Sequence, residues 1–194
     1  DFETIDKTLS TLKKSPWGVS INDLTACEAK KLVEKGSDYI VFRSMSTQAS
    51  LLNEEDLGVI ATVTTNISDE TMRALSELPI DAVMFSPDIE NLPLTFNEVI
   101  DLQKVLGLLN KPLLVGISNK ANRNDIELLR NIGVAGLILD LNTETDIAKI
   151  ATIRKTIDCL PSSKSRWLHE GALIPSAGNE ISGGFNIPDE NDDF

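Results

Sequence analysis

Arg43 and Asp140 each directly follow a short apolar run, YIVF in one case and VAGLIL in the other. A guanidinium in that place can grip a carboxylate or phosphate bidentately. A carboxylate can move a proton, or hold magnesium together with a second acid such as Asp88. The remaining apolar runs are also followed by polar residues: Asn22 and Asp23, Thr64, Thr65 and Asn66, Ser86 and Asp88, and Ser118, Asn119 and Lys120. Ser44 extends the set beside Arg43, and Asn142 beside Asp140. From this ring Arg43, Asn66, Ser86, Asp88, Ser118 and Asn142 are the candidate ligand-binding residues. Asp140 and Arg43 are the candidate catalytic pair. The same residue types also satisfy loop amides and cap helices for local reasons, and an Arg43 bridge to Asp23 or Asp140 would be structural.

Several chemistries lack their residues. Schiff-base catalysis needs a desolvated lysine, yet none of the apolar runs contains one, and Lys120 sits in a polar stretch with Asn119, Asn122 and Arg123. The single histidine, His169, falls near the C-terminus, so the body of the chain lacks the commonest general base near neutral pH. Cys27 and Cys159 are far apart and near no histidine, which excludes a short-spaced zinc set. Gly183 and Gly184 lack the lysine and helix of a phosphate loop. The expectation is no metal and no cofactor.

Six elements position the ring. The runs WGVSI, YIVF, GVIATV, DAVMF, PLLVGI and VAGLIL begin 22, 19, 23, 31 and 22 residues apart, the length of one strand plus one helix. A strand covered by helices reads as a nearly continuous apolar run, and an amphipathic helical pattern follows each. The alternation predicts an α/β protein with a parallel sheet. Thr25 with Glu28, Thr95 with Glu98, and Asn124 with Glu127 have the spacing of capping boxes. Ser68 and Thr143 also read as helix starts, each followed by acids. Gly36 and Gly133 read as helix ends. Residues 2–14 form an amphipathic helical pattern, and the apolar positions 96, 99, 102, 106 and 109 predict a helix packed on the sheet. SPDIENLPL predicts a longer loop after the fourth strand, where α/β proteins keep their sites.

Composition narrows the partners. A length of 194 residues suits one domain, here 1–160, followed by a Gly, Pro, Ser and Asn-rich acidic tail, 161–194. Net charge is −12, of which the tail carries −4, so the body is itself acidic and repels nucleic acid. No apolar stretch approaches the ~20 residues of a membrane span, and the acidic start lacks the apolar core of a signal peptide. Two unpaired cysteines fit a reducing compartment, which places the chain in the cytoplasm.

Residues 112–140, PLLVGISNKANRNDIELLRNIGVAGLILD, resemble the last two strands of the phosphate-binding, aldolase-type (β/α)-barrel superfamily, which includes indole-glycerol phosphate synthase, thiamine phosphate synthase and keto-acid aldolases. ACEAKKLVEKGSDYIVF, residues 26–42, looks like an earlier unit of that fold, and the chain is similar as well to bacterial barrel proteins with acidic tails. The resemblance implies an incomplete TIM-type barrel of about six strands, lacking the first two, with residues 2–14 as the second helix. Open edges would then be covered by a second copy, or by tail segments such as GALIP or ISGGFNI. The phosphate turns of the superfamily are replaced by Gly116-Ile117-Ser118-Asn119 and Asp140-Leu141-Asn142. A carboxylate there repels phosphate. The expected function is a degenerate, non-catalytic binding or assembly module. The alternative is a lyase or isomerase acting on a small anionic, phosphorylated or keto-acid metabolite.

Overall fold

The apolar runs become six strands, β1 Gly18–Ile21, β2 Tyr39–Phe42, β3 Gly58–Val63, β4 Ala82–Ile89, β5 Leu113–Ile117 and β6 Gly136–Ile138. They belong to a computed structural model that describes residues 15–22, 24–43, 47–64, 66–89, 92–118, 120–140 and 144–161, with only the backbone described at 21, 87–89 and 144–148. Every pairing is parallel, and strand order follows chain order from β1 to β6. The sheet curls into an incomplete barrel with helices between its strands. The chain divides into a unit from Asp1 to Ser163 and a second from Lys164 to Phe194, the latter wholly outside the described residues.

Five α-helices follow the strands: α1 Ala26–Glu34, α2 Asp69–Glu77, α3 Phe96–Leu108, α4 Arg123–Ile132 and α5 Glu144–Asp158. The first four turn apolar residues three apart onto the sheet: Ala29 and Leu32, Met72 and Leu75, Leu102 and Val105, and Ile126 and Leu129 are all buried, and on α5 Ile153 is buried. They meet one face of the strands, where Val59, Ala61, Val63, Val83, Phe85, Leu113, Val115 and Ile117 are buried. Fully burying a side chain of this size contributes about 1.5–3 kcal/mol, so this layer is the core.

The caps explain where the helices begin. Thr25 and Glu28 form a reciprocal capping box, as do Thr95 and Glu98, and the Ser68 hydroxyl accepts from the Thr71 N–H. On α4 the box is Asn122 with Asp125, not Asn124 with Glu127. The two pairs overlap by the same three-residue spacing, and the earlier one wins because the Asn122 oxygen reaches two amides, those of Asn124 at 2.8 Å and Asp125 at 3.1 Å. Gly36 (φ 81°) and Gly133 (φ 110°) are left-handed helix ends, a region that L side chains rarely adopt.

Three expectations need correction. Among the described residues between β2 and β3 no α-helix forms, only a 3₁₀ segment, Ala49–Asn53. A crevice of about 150 Å³, lined by Phe42, Leu52, Leu75 and Leu78, lies beside it on the sheet. Strand β4 continues through Ser86, Pro87 and Asp88 to Ile89, so half of the expected loop is strand. The register against β5 shifts between Phe85 and Ile89, and an irregular ladder tolerates the proline that cannot donate to it. On α3, Phe96 is 79% exposed and Ile100 37%, whereas Leu102 and Val105 are buried. The helix therefore packs through positions 102 and 105, and the proposed stripe begins one turn too early. The expected helix at 2–14, the cap at Thr143 and the tail lie outside the described residues.

Candidate binding site on the concave face

Side chains alternate across a strand, so the residues between the buried ones point to the other face, which no helix among the described residues covers. Along β3 the pattern is strict: Val59, Ala61 and Val63 are buried, and Gly58, Ile60 and Thr62 are half-exposed. The register sets their neighbours in rows, Val41 beside Ile60, Thr62 beside Met84, Met84 beside Leu114, and Gly116 beside Ile138. All of these except Gly116 line an open cavity of about 880 Å³ in the hollow of the sheet. Its floor is apolar, formed by Val41, Ile60, Met84, Leu114 and Ile138.

The C-terminal ends of the strands add a polar rim. Arg43, Ser86 and Asp140 line the cavity, together with Asn22 and Thr64. Arg43, Ser86 and Asp140 each lie two residues beyond a floor residue, and Asn22 and Thr64 two beyond Ser20 and Thr62, so the period of two that builds the hollow also aims the rim. Arg43, Thr64 and Asp140 are exposed, and Ser86 is half-buried. Neither Arg43 nor Asp140 forms an ion pair among the described residues, where the pairs are Lys104 with Asp101 and Arg154 with Asp158. The structural bridge between Arg43 and Asp140 is therefore absent. Thr47 donates to the Asn22 carbonyl at 3.1 Å, which ties the loop after β2 to the end of β1.

Other ring residues stand elsewhere. Asn66 is exposed in the turn after β3, and Lys120 is exposed after β5; neither lines the cavity. Ser118 does local work: its hydroxyl accepts from the Lys120 N–H at 3.3 Å and its carbonyl from the Ala121 N–H at 3.1 Å. Asp88 lies within β4 instead of the loop after it, and its side chain is not described. Asp23, Ser44, Thr65, Asn119 and Asn142 lie outside the described residues. No group of three or more His, Cys, Asp or Glu side chains able to hold a metal ion occurs among the described residues.

Ser20, Thr62 and the apolar floor carried no signal as site residues. Thr62 has the strongest claim, because its Oγ1 is buried without a hydrogen-bond partner while the residue lines the cavity. Stepping back two residues at a time from Arg43, Ser86 and Asp140 finds Val41, Met84 and Ile138. Tyr39 closes the lower end. Its ring lies across Gly18, where a Cβ would come within 2.3 Å of the ring, so the glycine is what lets the ring lie there.

No protein-family model and no curated protein sequence matches the chain. Among solved structures it is similar to the FabK (M276A) mutant from Thermotoga maritima, with TM-score 0.50 and 19% identity over 71% of this chain and 48% of that one. The chain thus spans about half the length of that protein. A 3-dehydroquinate dehydratase from Aquifex aeolicus VF5 is similar at TM-score 0.45 and 20% identity, over 74% of each chain. These neighbours have TIM-barrel-type folds. The likeness to the first speaks for the fold alone, and no sequence match supports the aldolase-type assignment. No helix among the described residues is long and apolar enough to cross a membrane.

Proposed function

We propose that the chain is a barrel-derived binding module that takes a small amphipathic anion in the hollow of its sheet. The observation that carries this reading is one cavity with an apolar floor, a Thr62 hydroxyl without a hydrogen-bond partner and, on its rim, an Arg43 guanidinium that forms no ion pair with a described residue. Sites for small molecules have this composition, mostly apolar with a few polar groups that fix orientation. The apolar body of the ligand lies on Ile60, Met84 and Leu114, and its anionic group meets Arg43. The described residues of the cavity wall include no lysine, histidine or cysteine, which favours binding over covalent chemistry.

A second reading keeps the same pose and adds turnover. Asp140 shares the rim with Arg43, so a lyase or isomerase acting on a small anionic metabolite would use Asp140 as acid–base and Arg43 as anion clamp. Self-association is the partner proposal, because β1 and β6 each leave one side unpaired within the described sheet.

The deciding experiment is a thermal-shift screen of the full chain against sugar phosphates, keto acids and magnesium, followed by product analysis of each stabilising compound. Stabilisation lost in Arg43→Ala, without product, is the outcome expected. Product formation abolished by Asp140→Asn would replace the module with the enzyme. A silent panel would remove both. Sedimentation velocity over a range of concentrations tests the partner, and a strictly monomeric chain would exclude it.

A further inference from the structure

Away from the hollow, one crevice combines apolar walls with a buried donor that nothing uses. Between α4, α5 and the helix-facing side of β6 lies a cavity of about 340 Å³, within the size range of small-ligand sites. Ile126 of α4, Leu137 of β6 and Ile150, Ile153 and Ile157 of α5 form its walls. The three α5 isoleucines recur at helical spacing, which gives one continuous apolar stripe. Only Ile153 of these three is fully buried, so the stripe is incompletely covered.

Arg130 lines the same crevice. Its Nη1 donates to the Pro161 carbonyl and its Nη2 to Asn131 Oδ1 at 3.0 Å, both neutral oxygens. Its Nε is buried with no partner. A buried donor left unmade costs about 1–3 kcal/mol, and such groups in native proteins call for a reason. Arg154, also on the wall, is committed to Asp158 at 3.1 Å. An incoming anion would therefore find Arg130.

We infer that this crevice binds an aliphatic monocarboxylate, whose carboxylate accepts from the Arg130 Nε–H while its chain lies along Ile150, Ile153 and Ile157. A cation at the edge of an apolar slot selects for both halves of such a molecule. A second copy of this chain is a poorer occupant, because the crevice has the volume of a small-molecule site, about 340 Å³. The site is separate from the hollow and uses none of its residues.

The test is isothermal titration of the full chain with octanoate, and with 1-octanol and acetate as matched probes. Saturable octanoate binding should exceed octanol and acetate by about tenfold or more, the usual weight of a charge-assisted hydrogen bond or of several buried methylenes. Arg130→Gln should weaken octanoate by a similar factor. Ile157→Phe, which narrows the slot and keeps the cation, should weaken it too. Arg43→Ala should leave octanoate unchanged. Methyl chemical shifts of Ile150 and Ile157 in the unaltered protein locate the site without substitution, and guard against a variant that fails to fold. Octanol binding equal to octanoate, loss with Arg43→Ala, or shifts confined to other methyls would each overturn the proposal.

Discussion

The two faces of one sheet differ sharply although the same six apolar runs supply both. On the helix-facing side Val83, Leu113 and Val115 are 0% exposed, and a continuous layer of helix side chains covers them. On the hollow side Ile60, Met84 and Leu114 are half-exposed around an open cavity. Apolar surface on the first side is already removed from water and holds the fold together. Apolar surface on the second is still wet, so its burial remains available to a ligand or partner. Stability and binding are thus assigned to alternate residues of the same strands.

Adjacent leucines on β5 give the largest effect that could break this contrast. Leu113→Ala opens a void in the covered layer and should cost about 3 kcal/mol in urea unfolding. Leu114→Ala, one residue on and facing the hollow, should cost about 1 kcal/mol or less, because its side chain is only half covered. Equal losses would mean that both faces are core, with no spare surface to bind anything.

Gly18 sharpens the comparison from the other side. A Cβ at Gly18 would lie 2.3 Å from both the Tyr39 ring and its backbone oxygen, so the strand itself must shift. Gly18→Ala should cost about 2 kcal/mol, in the usual range for overpacking. At Gly136 the Cβ would lie 2.8 Å from Leu114 Cδ2, the far end of a flexible side chain. Gly136→Ala should therefore cost about 1 kcal/mol or less. A thermal melt of both variants checks the order, and a reversed order would show that β1 moves away from Tyr39 at little cost.

The covered side depends on how its helices are seated. Asp125 is buried; Oδ1 accepts from the Leu94 N–H at 3.1 Å and Oδ2 from the Asn122 N–H at 3.2 Å, which pins the approach to α3 against the start of α4. Asp125→Ala strands both amides and should cost about 1–2 kcal/mol. Hydrogen exchange should speed up at Leu94 and Asn122 while the strand amides of β3 stay protected; uniform acceleration would deny this local role.

Much of this architecture was legible in the residues, for a physical reason. A parallel strand under helices must be apolar nearly throughout, so GVIATV and YIVF mark β3 and β2 to the residue. The same property hid the hollow, because a run apolar on both faces does not say which face a helix covers. Ser86 and Pro87 broke the apolar run and concealed the rest of β4. LLNEEDLG has helical spacing, but its turn residues leave room only for the 3₁₀ segment before β3. Of the ring of polar residues, Arg43, Ser86 and Asp140 share the cavity because each is in phase with the floor of its strand. Asn66 and Lys120 sit beyond the strand ends, where the period of two no longer governs direction.

The smallest expected effect lies on the outermost layer and concerns Glu28 in α1. Its carboxylate accepts from the Thr25 N–H at 2.9 Å and the Thr25 hydroxyl at 2.7 Å. The backbone bond from Thr25, then the hydroxyl, holds its carboxyl below the usual 4.5, with a further contribution from Lys31. A group whose folded pKa is lowered stabilises the fold above its unfolded value, and that contribution is lost as pH falls through the folded one. Glu28→Gln should therefore melt slightly below the unaltered protein at pH 7, and the gap should close as pH falls below 4.5 and through the lowered folded value, where the unaltered carboxyl also becomes neutral. Because α1 buries only Ala29 and Leu32 on its sheet side, the same substitution should leave ligand binding in the hollow untouched. A gap that persisted unchanged at low pH would place the effect in packing instead of charge.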